Sequence, residues 1–171
     1  GFIASICSST GGMILAQQGR FDEAEVYLDR GLAQAELIDS AMLRTKASIA
    51  RKTLSVLAVS RRGWVSGGDS LITSMFGELG LTNAASRLGL RSGGFASLET
   101  IVSLKPDLLL LSEGDDHAED QGRAFLLHPA LERLYPPAKR IVVPERMTVC
   151  GGPMIADALD RLAHEIDKTG R

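Results

Sequence analysis

The run Ser97-Leu98-Glu99-Thr100-Ile101-Val102-Ser103-Leu104-Lys105-Pro106-Asp107-Leu108-Leu109-Leu110-Leu111 decides the fold class. Ser97 is a helix N-cap, because its hydroxyl can accept a hydrogen bond from a backbone N–H of the first turn. A helix follows to about Leu104. Pro106 stops it, since proline disfavours the helical conformation in the residue before it. After Asp107 come four leucines in a row. That run is too short for a helix and suits a strand buried on both faces.

The same alternation extends outward. Downstream, helical segments are expected around Gln121–Leu127 and Pro129–Leu134. Arg140-Ile141-Val142-Val143 then reads as a strand and Pro144 to Gly152 as a loop. A final helix starts at Pro153, where proline suits the first turn, and buries Ile155, Leu159, Leu162 and Ile166. Upstream, Thr53 to Val59 reads as a strand and Ser60 to Gly68 as a polar, glycine-rich loop. Asp69 is placed to cap a helix whose buried face is Leu71, Ile72, Met75, Phe76 and Leu79, with Gly80 closing it. Strands alternating with helices predict an α/β lobe of three layers, a mostly parallel sheet flanked by helices. Ligands of such sheets sit beyond the carboxyl ends of the strands. The informative loops are therefore Ser60–Gly68, Ser112–Asp120 and Pro144–Gly152.

Ahead of the lobe lies a long helix. Phe21, Ala24, Leu28, Leu32, Ala35, Ile38 and Met42 fall at steps of three and four, which predicts one buried stripe. Acids lead it (Asp22, Glu23, Glu25) and bases trail (Arg44, Lys46, Arg51, Lys52), as the helix dipole favours. It should run close to thirty residues, and Gly11-Gly12 and Gln17-Gln18-Gly19 bound a shorter helical piece before it.

At 171 residues the chain is long enough for one domain with a real core. It is 44% hydrophobic and 23% charged, a globular composition and not a disordered one. A net charge of −2 with no lysine or arginine field argues against a general nucleic-acid partner. Cys7 and Cys150 make neither a disulfide framework nor a metal knuckle. Residues 1–16 carry an apolar stretch without Lys or Arg and do not resemble a signal peptide. The first residue is Gly1, not Met, so the chain reads as a segment whose natural start lies upstream.

Catalytic signatures are missing: there is no Gly-x-Ser-x-Gly elbow, no Walker loop and no His-Glu-x-x-His. His128 before Pro129 reads as a helix cap, and His164 as a cation near a helix end. The acidic run from Glu113 to Asp120, with His117, lacks the spacing of a calcium loop and reads as a solvated loop and helix start. Trp64-Val65-Ser66-Gly67-Gly68-Asp69 superficially resembles a phosphate-binding turn, but lacks the glycine triplet and lysine of the known ones. Its context says more. The only tryptophan of the chain follows Arg61 and Arg62 in the first strand-to-helix loop. An indole offers stacking area and arginines offer bidentate contacts to carboxylates, as in half of a small-molecule cleft. The alternative is that Trp64 caps the edge of the core with the arginines at the surface. The residues alone leave both open.

The order of motifs carries a resemblance. Trp64-Val65-Ser66-Gly67-Gly68-Asp69-Ser70-Leu71-Ile72, then Leu79-Gly80-Leu81-Thr82-Asn83-Ala84-Ala85, then Ser97 through Leu109, and finally Val143-Pro144-Glu145-Arg146 with Gly151-Gly152-Pro153 resemble the substrate-binding proteins of ABC importers for iron(III)-siderophores, haem and vitamin B12. That family has two α/β lobes joined by a long rigid helix, with ligand held between them. The resemblance implies that residues 1–51 contain the connector helix and 52–171 form the C-terminal lobe, with the N-terminal lobe lying outside this chain. It implies a periplasmic protein that captures a metal chelate and hands it to the transmembrane permease subunits, with no enzymatic activity and no cofactor of its own. Arg61, Arg62, Trp64, Phe95, Arg146 and Met147 occupy the family's ligand-facing loops, and Glu99 matches the glutamate that docks the lobe on the permease. No Tyr or His stands in these loops to ligate iron, so the implied metal travels inside its chelator. A lobe without its neighbour is also expected to self-associate. Two other readings stand beside this one. Ala16 to Glu25 resembles half of a tetratricopeptide pair, an interaction module, although one copy is too few to stack. An α/β enzyme using Asp69 or Glu113 would lack both a nucleophile partner and a cofactor fingerprint.

Overall fold

The computed structural model describes residues 12–49, 53–113, 121–144, 147 and 154–168. Residues 12–17 (α1) turn at Gly19 into α2 (Phe21–Ile49). There follow β1 (Ser55–Ser60), β2 (Trp64–Ser66), α3 (Leu71–Leu79), β3 (Thr82–Asn83) and β4 (Gly93–Phe95). The chain continues through α4 (Leu98–Leu104), β5 (Leu108–Glu113), α5 (Gln121–Leu126), α6 (Pro129–Leu134), β6 (Arg140–Pro144) and α7 (Met154–Lys168). No helix among the described residues is long and apolar enough to cross a membrane.

The leucine run is the centre of the sheet. Val56 to Val59 pair with Leu108 to Leu111, and Leu109 to Glu113 pair with Arg140 to Pro144, all in parallel. Strand order is β4-β2-β1-β5-β6, with β3 parallel to the start of β1. Because side chains alternate along a strand, the two faces bury different partners. Val56, Ala58, Leu108, Leu110, Ile141 and Val143 pack against α2, α3 and α7. Leu57, Val59, Leu109 and Leu111 pack against α4, α5 and α6. This is the three-layer α/β lobe expected from the alternation. At the bottom of the sheet, the Asp107 carboxylate accepts hydrogen bonds from the backbone N–H and the hydroxyl of Ser55, at 2.7 and 2.8 Å, and ties the starts of β1 and β5.

Helix ends mostly follow the capping rules. Ser97 accepts from the Thr100 N–H, Gly80 closes α3 in the left-handed conformation, and His128 Nδ1 accepts from the Ala130 N–H at the start of α6. One assignment is corrected: Ser70, not Asp69, caps α3. Its hydroxyl accepts from the Thr73 N–H, while Asp69 pairs with Arg91 at 3.2 Å. The expected stripe on α2 is corrected too. Its buried line is Ala24, Gly31, Ile38, Ala41, Thr45 and Ile49. Phe21, Leu28 and Leu32 are exposed. The second half of α2 lies on α7, with the Thr45 hydroxyl donating to the Leu159 carbonyl and Arg44 paired to Asp160. The first half meets α1 instead, where a Cβ on Gly12 would stand 3.0 Å from Cγ of Leu28 and 3.4 Å from the Ala24 carbonyl oxygen.

The segment Ser60–Gly68, expected as a loop, holds a tight turn at Arg61–Gly63 and the strand β2. β2 runs antiparallel to β1, with Ser60 opposite Trp64, and antiparallel to β4, with Trp64 opposite Phe95. Strands this short have no alternation long enough to announce them.

Candidate functional site

The β2–β4 ribbon is set at the carboxyl end of the sheet by its register. Val59 lies opposite both Val65 and Leu111, and Ser112 lies opposite Val143. The strands β1, β5 and β6 therefore end at about the level of Trp64 and Phe95. This is the place where parallel sheets receive ligands.

Backbone geometry builds the turn. Arg62 and Gly63 both have positive φ, 60° and 76°, which reverses the chain within three residues. Only glycine fits at 63: a Cβ there would stand 2.5 Å from the Ala96 carbonyl oxygen and 2.8 Å from Cζ of Phe125 in α5. The Ala96 N–H donates to the Gly63 carbonyl at 2.8 Å, which fastens the turn to the residue after β4. Arg61 is half-buried in this turn and Arg62 is exposed.

Val65 is fully buried on the α4 side, so Trp64 projects from the opposite face, and Phe95 beside it does the same. The two rings meet edge to face with centroids 5.1 Å apart and planes at 81°. That geometry places the positive ring edge of one on the electron-rich face of the other. The indole also lies over Gly93, where a Cβ would come within 3.0 Å of Cζ2. Trp64 remains 39% exposed and Phe95 69% exposed. A paired aromatic surface is thus held open to solvent, next in the chain to a turn that carries two arginines. It can stack on an apolar face and form charge-assisted hydrogen bonds to an anion.

The structure pairs Trp64 with Phe95 and sets Arg61 and Arg62 in the turn that leads into Trp64. Met147, a candidate ligand residue, lies partly buried against the core of α2, α3 and α7. Arg146, and the acidic run after Glu113, lie outside the described residues. Among the described residues no cluster of His, Cys, Asp or Glu is arranged to hold a metal ion. Gly63 and Gly93 carry no local motif that marks them as part of the site. Their importance comes from close approach of other chain segments, and the Gly93-Gly94-Phe95 tripeptide is the only local sign of it.

Glu99 is exposed on the first turn of α4, four residues beyond Phe95. A hydrogen bond from its own backbone N–H, followed by one from the Ser97 hydroxyl, holds its carboxyl below the ordinary carboxylate range. It borders an open groove of about 360 Å³ lined also by Arg87, Leu88, Thr100, Ser103 and Leu104. Arg87 is fixed there by donating to the Leu104 carbonyl at 2.8 Å.

Residues 20–139 match the family model of the periplasmic binding proteins, and this chain belongs to that family. No match is found among curated proteins. Among solved structures, the chain is similar to the periplasmic heme-binding protein RhuT from Roseiflexus sp. RS-1, with 24% identity and a TM-score of 0.65 over 89% of this chain and 61% of that one. It is also similar to an ABC-type Fe3+-hydroxamate transport system protein from Saccharomonospora viridis, with 19% identity and a TM-score of 0.67 over 90% of this chain and 53% of that one. A periplasmic heme-binding protein from Pseudomonas aeruginosa gives 22% identity and 0.66 over 91% and 57%. At these identities the likeness is one of fold. The chain spans less than two thirds of the length of each.

Proposed function

We propose that this chain is the C-terminal lobe, with its connector helix α2, of a periplasmic protein that captures a metal chelate and delivers it to an ABC importer. The observation that carries the reading is the solvent-open pair Trp64–Phe95, flanked by Arg61 and Arg62, at the carboxyl edge of a parallel sheet. Family membership supports it, as do the relatives described as binding heme or transporting Fe3+-hydroxamate. The aromatic pair stacks on the apolar part of the ligand, and Arg61, Arg62 and Arg146 meet its anionic groups, with Met147 beside them. A second lobe supplies the opposite wall. The metal stays within its chelator, iron in a siderophore or haem and cobalt in cobalamin, and no bond is made or broken. Glu99 then engages arginines of the transmembrane permease subunits. A surface pair of this kind contributes little alone, and two lobes docking together multiply its effect. A 29-residue helix running into the lobe's core favours small hinge movement over wide closure.

Trp64 is the only tryptophan of the chain, so its emission reports this site directly. Titration with haemin, a ferric hydroxamate and cobalamin should give saturable quenching by at least one. Trp64→Ala and Arg62→Ala, followed by calorimetry with that chelate, should each weaken binding about tenfold or more, in the range of buried aromatic and arginine anchors. Unchanged affinity in both variants would remove the site.

A further inference from the structure

We propose that Asn83 is a positioning residue that holds the Trp64–Phe95 pair in its binding geometry; the proposal rests on the ligand site argued above. β3 and β2 both lie along the same edge of β1, β3 at Ser55 and Val56 and β2 at Val59 and Ser60. Between them the backbone ladder is interrupted. Asn83, the last residue of β3, is 5% exposed and lies at this interruption.

Its carboxamide makes three contacts there. Nδ2 donates to the Ser66 carbonyl at 3.0 Å and to the Thr73 hydroxyl oxygen at 2.6 Å, and Oδ1 accepts from the Ala85 N–H at 2.9 Å. Thr73 in turn donates to the Gly67 carbonyl at 2.6 Å. A side chain thus replaces the missing ladder bonds and joins β3, the end of β2, the first turn of α3 and the turn at Ala84–Leu88. Ser66 is the inner end of the ribbon: it pairs with Gly93, and the indole of Trp64 lies over Gly93. Ser66 stands two residue steps from Trp64, about 7 Å of strand, with Val65 between them. On the other side the ribbon's root is packed hard, since a Cβ on Gly67 would stand 2.5 Å from the Leu90 carbonyl oxygen. Asn83 therefore fixes the root from the β1 side, and freedom gained at Ser66 is passed along two residues to the aromatic pair.

The test is Asn83→Asp, which keeps the acceptor for Ala85 and loses the donor to Ser66. Acrylamide quenching of Trp64 should rise in the ligand-free protein. Affinity for the chelate that binds wild type should fall about tenfold, as expected for a lost buried hydrogen bond. Asn83→Ser, which caps Ala85 without reaching Ser66, should move both readouts the same way and serves if the aspartate variant does not fold. Ile141→Ala is the stability control, since β6 lies three strands from β2. It should lower the Tm yet leave Trp64 quenching and affinity unchanged. Quenching equal to wild type in the Asn83 variants overturns the proposal, as does an equal change in Ile141→Ala. If wild type bound no chelate the ligand site would fail, and the quenching comparison would still decide the role of Asn83.

Discussion

The central strands and the β2–β4 ribbon belong to one sheet and obey opposite rules. Leu57, Leu109 and Ile141 are 0–1% exposed and gain their stability from apolar burial on both faces. The ribbon is six residues long across both strands, contains two glycines, and leaves its two large aromatic rings in solvent. Its shape is imposed from outside, by Gly63 against Phe125 and Ala96 and by Asn83 on Ser66. The contrast teaches where stability and recognition are separated. The frame is stabilised by its own burial, and the ribbon is a poorly self-stabilised surface positioned by that frame.

That separation makes substitutions diverge. Leu109→Ala should cost the most, about 2–5 kcal/mol in urea denaturation, because the cavity is enclosed by helices and neighbouring strands. Gly63→Ala comes next, at about 1–3 kcal/mol, from a positive φ and a sub-van-der-Waals Cβ. It should also shift the Trp64 emission, which Leu109→Ala should not. Asp107 gives a smaller and pH-dependent effect. Its carboxyl is held below the ordinary range, first by the Ser55 N–H, with burial opposing and the Ser55 hydroxyl adding. A depressed folded pKa means the contribution is full above the ordinary aspartate value and is lost as pH falls through the folded one. The urea midpoint of wild type should therefore drop on acidification through that window more steeply than that of Asp107→Asn. Smallest in stability is Trp64→Ala, under about 1 kcal/mol for a partly exposed side chain, although its effect on chelate binding should be the largest of the four. A Trp64→Ala variant as unstable as Leu109→Ala would erase the contrast and make the indole a core residue.

The same contrast explains what could be read from the sequence. The leucine run, the Ser97 cap and the Ile155–Ile166 stripe are local patterns whose physics is complete within a few residues, and the sheet's parallel centre and its helices follow from them. The stripe on α2 was legible as a helix and not as a face. Periodicity shows which residues share a side, but not which side is covered: Ala24 and Gly31 are buried while Leu28 and Leu32 are exposed. Asp69 and Ser70 are both competent caps, and one residue of register chose between them. The ribbon was hidden because β2 is a strand only by virtue of β1 and β4. Trp64 and the arginines were visible as residue types suited to a ligand. That Phe95 would meet Trp64 across a strand pair depends on a connection of thirty residues that no local pattern encodes.

The most direct test of the central claim is amide hydrogen exchange with and without a bound chelate. Added protection should concentrate in residues 60–66 and 93–97, the turn and the two ribbon strands, with the Leu108–Glu113 strand unchanged. Protection centred instead on the groove between Arg87 and Glu99, with the ribbon unaffected, would contradict it.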